Sequence, residues 1–61
     1  MRKWLIRIRN ELNLSTYAIA KISGISQSYY SQIETGKRNV PVHTAKKIAA
    51  AMNFDWQRFY E

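Results

Sequence analysis

Cysteine is absent from this chain, so neither a disulfide framework nor a thiolate metal site can hold it together. Proline occurs once and glycine twice, which leaves no Gly/Ser or Pro-rich linker to divide 61 residues into separate units. Acidic residues are scarce: four Asp and Glu face ten Lys and Arg, for a formal charge of +6 and a pI near 10.1. That imbalance favours a polyanionic partner, and nucleic acid or an anionic membrane surface would satisfy it. The basic opening MRKWLIRIRN invites a signal-peptide reading, but its longest apolar run is Trp4 to Ile6. A secretory core needs about 7 to 15 apolar residues and a membrane span about 20. Repeats and low-complexity tracts are also missing. What is left is one small domain, residues 1–61, whose core must stabilise itself, burying roughly 60% of its unfolded surface.

Apolar periodicity predicts helices throughout and no strand. Met1, Trp4, Leu5, Ile8 and Leu12 make one stripe of a first helix over residues 2–12, with Arg9 on its flank. Asn13 is a left-handed terminator, and Ser15 is the N-cap of a second helix running to about Ser23, with Ile19, Ala20 and Ser23 inward. Gly24 supplies a positive φ, Ile25 drops inward and Ser26 caps a third helix that ends at Gly36. Pro41 belongs in the first turn of a fourth helix whose inner face carries Val42, Ala45, Ile48, Ala49 and Met52. Asn53 stops it, and Asp55 caps a short fifth helix. The reading is all-α, five helices.

The third helix carries the signal. At about 100° per residue, Gln27, Ser28, Ser31, Gln32 and Thr35 share one arc, while Tyr29, Tyr30 and Ile33 lie opposite. An ordinary solvated helix would line its outer face with Lys and Glu. Neutral amides and hydroxyls instead match the donors and acceptors on base edges of duplex DNA. A capped helix, a glycine turn and a second capped helix make the helix-turn-helix plan, which places the second of the two in the major groove.

The remaining conspicuous residues have plainer readings. Tyr29 and Tyr30 sit on the inner arc and read as core, with Tyr29 near enough to the edge for its hydroxyl to meet a phosphate. Glu34 borders the apolar arc. His43, the single histidine, has no second ligand at metal spacing. Phe54, Trp56, Phe59 and Tyr60, half of the eight aromatics, read as a plug under the core. Four rings are more than one short helix can bury within its own domain, so part of that surface is a candidate dimer contact.

Through the segments LxxIRxxxxLS, IAxxSGISQSYYSQIETGKRN and TAKKIAAAMNFDW, covering nearly all of Leu5 to Tyr60, the chain resembles the small DNA-binding domains of phage repressor and Cro-type regulators, the Xre family. The resemblance implies a compact five-helix, lambda-repressor-like fold with Gln27, Ser28 and Gln32 on base edges. It implies Ser31 and Thr35 near the backbone or groove floor, together with Thr16, Tyr17 and Ser26. Lys37, Arg38 and Asn39 would clamp phosphate, and Arg9 with Glu34 would form a partly buried ion pair. Two departures stand out. The second helix opens Thr16, Tyr17, Ala18 where the family often has Gln followed by acidic residues, so Thr16 offers only a shorter reach to phosphate or Tyr17 takes over the contact. Val40 also intervenes between the basic loop and Pro41.

The expected function is a non-enzymatic, sequence-specific regulator of transcription, a repressor of phage or mobile-element type. It would bind a palindromic operator in double-stranded DNA as a homodimer. No cofactor, membrane or small-molecule effector is expected, and the expected location is the cytoplasm of a bacterium, on the nucleoid. The alternative is an antitoxin or antirepressor that keeps this scaffold and uses its aromatic terminus to bind another protein. Four scattered acids and one histidine supply no nucleophile–base pair, paired carboxylates or metal set for an enzyme.

Overall fold

The computed structural model describes all 61 residues, Met1–Glu61. Its helices are α1 (Lys3–Glu11), α2 (Thr16–Ser23), α3 (Gln27–Thr35) and α4 (Val42–Met52), followed by a 3-10 helix, Trp56–Tyr60, and no strand. The fifth helix expected from sequence is therefore not an α-helix. Asp55 does cap it, accepting the Gln57 amide at 3.0 Å. Five residues are too few for a stable α segment, and the tighter 3-10 winding suits such a short piece.

All four α-helices stop in the same way. Asn13, Gly24, Gly36 and Asn53 each take a left-handed φ, between 57° and 85°. The residue that follows each returns its N–H to a carbonyl five positions back: Leu14 to Arg9, Ile25 to Ala20, Lys37 to Gln32 and Phe54 to Ala49, at 2.9–3.2 Å. This is the Schellman arrangement, which satisfies carbonyls that a helix end would otherwise strand. At the other ends, Ser15 accepts from the Ala18 amide at 3.0 Å and Ser26 from the Tyr29 amide at 3.1 Å. Strong local start and stop signals thus confine α2 and α3 to eight and nine residues and leave only Gly24, Ile25 and Ser26 between them.

Leu5, Ile19, Tyr30, Ile33, Ile48 and Met52 are fully buried, drawing the core from α1, α2, α3 and α4 together. Each such aliphatic side chain contributes about 2 kcal/mol by leaving water. α2 packs against both α3 and α4, and the 3-10 helix closes the end of α4. Three residues assigned to inner stripes face solvent instead: Met1, Leu12 and Val42 are exposed. Met1 precedes α1 and Leu12 only caps it, so neither is held to the stripe by helical geometry. Val42 is the first residue of α4 after Pro41, which is its N-cap and not part of its first turn. Thr44, four residues before Ile48, is buried in its place. Val40 is also buried, and its carbonyl accepts a hydrogen bond from the Tyr60 hydroxyl. The extra residue before Pro41 is thus an anchor that draws the loop after α3 down onto the core.

Candidate nucleic-acid interface

On its inner side α3 is fixed by buried contacts at its middle and C-terminal end. Tyr30 and Ile33 are fully buried, and Glu34, one position on, is buried as well. Arg9 meets Glu34 in a two-pronged pair, Nε to Oε2 at 2.6 Å and Nη2 to Oε1 at 3.3 Å, with side chains only 16% and 7% exposed. Arg9 also donates to the Leu14 carbonyl at 3.0 Å, and the Tyr30 hydroxyl donates to Glu34 Oε2 at 2.7 Å. The Glu34 hydrogen bond holds the Arg9 guanidinium even more firmly protonated than usual. Burial, reinforced by the hydrogen bond to the Glu34 carboxylate, pushes the Tyr30 phenol far above the ordinary tyrosine range. The ion pair expected between the first and third helices is present, and the Tyr30 hydroxyl completes it as a triad.

The outer side of α3 is different in kind. Gln27, Ser28 and Thr35 are exposed and Ser31 and Gln32 half-buried, and none of the five carries charge. Gln27 Nε2 donates to Thr16 Oγ1 at 2.9 Å, which joins the first residues of α2 and α3 across the turn. Thr16, the short residue at the start of α2, thus meets a glutamine of α3. Tyr17 beside it is exposed, with the Lys21 ammonium 6.0 Å from its ring centre. Ser26 accepts the Tyr29 amide, so its oxygen serves the helix cap. Thr35 turns its hydroxyl back to the Gln32 carbonyl at 3.1 Å.

The basic loop follows directly. Lys37, Arg38 and Asn39 are all exposed. Arg38 lies with its guanidinium carbon 5.9 Å from the Tyr29 ring centre and donates from Nε to Gln32 Oε1 at 2.7 Å. The loop is held from a direction that sequence reasoning missed. The Arg2 amide donates to the Glu34 carbonyl at 2.7 Å, and Arg2 Nη1 donates to the carbonyls of Ile33 at 2.6 Å and Arg38 at 3.3 Å. A cation at the negative end of a helix is a known stabilising device, but Arg2 lies 31 residues away from the carbonyl it serves. No local pattern points to it.

The C-terminal aromatics are used largely within the chain. Phe54 and Phe59 pack edge-on against Trp4 at 5.3 and 5.2 Å between ring centres and tilted against each other at 5.6 Å, so Trp4 supplies a partner that counting the terminal rings alone leaves out. Trp56 is half-buried under the Lys46 ammonium, 5.2 Å from its ring centre, and Tyr60 remains 50% exposed. His43 is exposed, and no three His, Asp or Glu side chains come together to hold a metal ion. No helix is long and apolar enough to cross a membrane.

The model of the family described as "Helix-turn-helix" matches residues 5–59, from Leu5 in α1 to Phe59 in the 3-10 helix. The chain belongs to the Xre-type helix-turn-helix family. In this family member the two helices of the motif are α2 and α3, and Gly24 is the turn glycine. The chain is also 41% identical, over its whole length and 80% of the other protein, to the uncharacterized HTH-type transcriptional regulator YqaF of Bacillus subtilis strain 168. The matched span takes in the anchored inner side of α3, its uncharged outer side and the basic loop, so the family extends over the whole candidate interface.

Proposed function

We propose that this protein is a sequence-specific, double-stranded DNA-binding regulator of transcription, a repressor of phage or mobile-element type, that lays α3 in the major groove. The observation that carries this reading is the two-sidedness of α3. Its inner side is fixed by two fully buried residues and the Arg9–Glu34–Tyr30 triad, while its outer side presents five neutral hydrogen-bonding side chains beside a cationic loop. Membership in the helix-turn-helix family and the description of the Bacillus relative as a transcriptional regulator support it.

In this reading Gln27, Ser28 and Gln32 meet base edges, where a well-placed amide contact discriminates against a wrong base by about 1 to 3 kcal/mol. Lys37, Arg38 and Asn39 meet phosphate together with Tyr17, while Ser31 and Thr35 lie along the groove. These backbone contacts position the protein without reading sequence. A homodimer, with Tyr60 and the half-buried Trp56 at the two-fold contact and Phe54 and Phe59 supporting them from beneath, would place two copies of α3 about 34 Å apart on a palindromic operator. Nuclease footprinting on DNA from the gene's own neighbourhood tests this directly. A protected site with two half-sites about one helical turn apart is expected. Equal protection of random DNA at every concentration overturns the reading.

A further inference from the structure

The two glutamines on the outer side of α3 are tethered differently. Gln27 faces the hydroxyl of Thr16. A hydroxyl both donates and accepts, so the Gln27 amide can turn over and still keep a bond there. Gln32 faces Arg38 Nε at 2.7 Å. A guanidinium has five donors and no acceptor, so only the amide oxygen can point at it. The Gln32 nitrogen is thereby directed to the opposite side, where Nε2 lies 3.5 Å from Ser28 Oγ and keeps a second hydrogen free. Arg38 is itself held in place, by the Tyr29 ring against its guanidinium and by Arg2 on its carbonyl. Its two terminal nitrogens have no partner within the protein and are left for phosphate.

We propose that Arg38 is a positioning residue that fixes the polarity with which Gln32 meets DNA. With its oxygen turned to Arg38, Gln32 donates from nitrogen and reads an acceptor in the major groove, the O6 or N7 of guanine, the O4 of thymine or the N7 of adenine, without accepting from an amino group. The paired contact of a free glutamine with adenine, which uses oxygen and nitrogen together, would have to reach the one remaining lone pair of an oxygen already turned toward Arg38, and is disfavoured. One arginine then ties a phosphate contact to the choice of base, and the adenine pairing remains open to Gln27. This inference rests on the reading that α3 enters the major groove.

The test begins with selection of bound sites from a random duplex pool by the whole protein and by Gln32→Ala, which identifies the base pair that Gln32 reads. Affinity is then measured on operators altered at that pair alone. Removing the amino group of its adenine or cytosine is expected to change affinity less than about 2-fold, and removing the acceptor that Gln32 meets, by loss of the guanine or thymine carbonyl oxygen or by 7-deaza substitution of the purine, to weaken binding about 5- to 100-fold. Arg38→Met is expected to admit adenine contacts at that pair and no other, so that removing the adenine amino group becomes costly only in this variant.

The inference is overturned if losing the amino group weakens binding by the wild-type protein as much as losing the acceptor does. It is equally overturned if Arg38→Met leaves the selected bases at that pair unchanged, or if Gln32→Ala alters no pair while the protein still selects a site. Those three results leave DNA recognition by α3 intact. Selection of no sequence at all removes that reading, and this inference with it.

Discussion

At the scale of single residues, the triad Arg9, Glu34 and Tyr30 holds the inner side of α3 and with it the orientation of its uncharged outer side. All of its hydrogen bonds run behind α3, and Arg9 reaches from α1 to make them. Replacing a buried ion pair by apolar groups is often neutral, but removing one partner leaves the other charge stranded. Glu34→Ala is therefore expected to lower stability by about 3 kcal/mol, measured by urea denaturation, whereas Arg9→Met with Glu34→Leu costs much less. Tyr30 adds a pH dependence whose sign is determined. Its phenol is raised in the folded protein, so the folded state keeps its proton after the unfolded chain has lost it. The stability this contributes is present below the ordinary tyrosine pKa of about 10 and declines as pH rises beyond it. Tyr30→Phe is expected to start about 1 kcal/mol less stable at neutral pH and to lose less stability between pH 9 and 11, in thermal melts across that range.

At the scale of elements, the ends of all four α-helices and the starts of α2 and α3 are set by chemistry written locally. Ser15 and Ser26 start α2 and α3, and a left-handed Gly or Asn stops all four α-helices, as their sequence positions predict. The two glycines are not equivalent, however. A methyl group added at Gly24 meets nothing within 4 Å, so Gly24→Ala carries only the conformational cost of φ +74°, about 1 kcal/mol. At Gly36 the same methyl would lie 3.2 Å from the Met1 nitrogen, so Gly36→Ala is expected to cost more and also to disturb the N-terminal segment that holds the basic loop. Melting temperatures of the two variants, with affinity for DNA alongside, check this ordering.

What the sequence left out at this scale is all non-local. Arg2 capping α3, Val40 buried beneath the loop and Thr44 replacing Val42 in the core depend on segments that meet only after folding. The 3-10 winding of the last element depends on its shortness and on Tyr60 reaching back to Val40. The polar arc of α3 was legible because it needs nothing but helical periodicity. The orientation of the Gln32 amide was not, because it is imposed by Arg38 from the following loop.

At the scale of the whole molecule, charge and shape act together. The chain carries +6 on a body about 24 by 21 by 20 Å, and in the proposed reading those cations would meet any duplex while α3 would distinguish one duplex from another. With roughly four phosphates met per subunit, affinity of a dimer is expected to fall as about the seventh power of salt concentration. Lys37→Ala is expected to lower that exponent by about one per subunit and to weaken binding to all sequences alike. The central claim, that the uncharged outer side of α3 reads base pairs, is tested most directly by comparing the sites selected from a random duplex pool by wild type, Gln27→Ala and Lys37→Ala. The expected result is one selected motif, retained by Lys37→Ala at reduced affinity and relaxed at a defined base pair in each half-site by Gln27→Ala. A motif that Gln27→Ala leaves untouched, or that Lys37→Ala changes at particular bases, would contradict it.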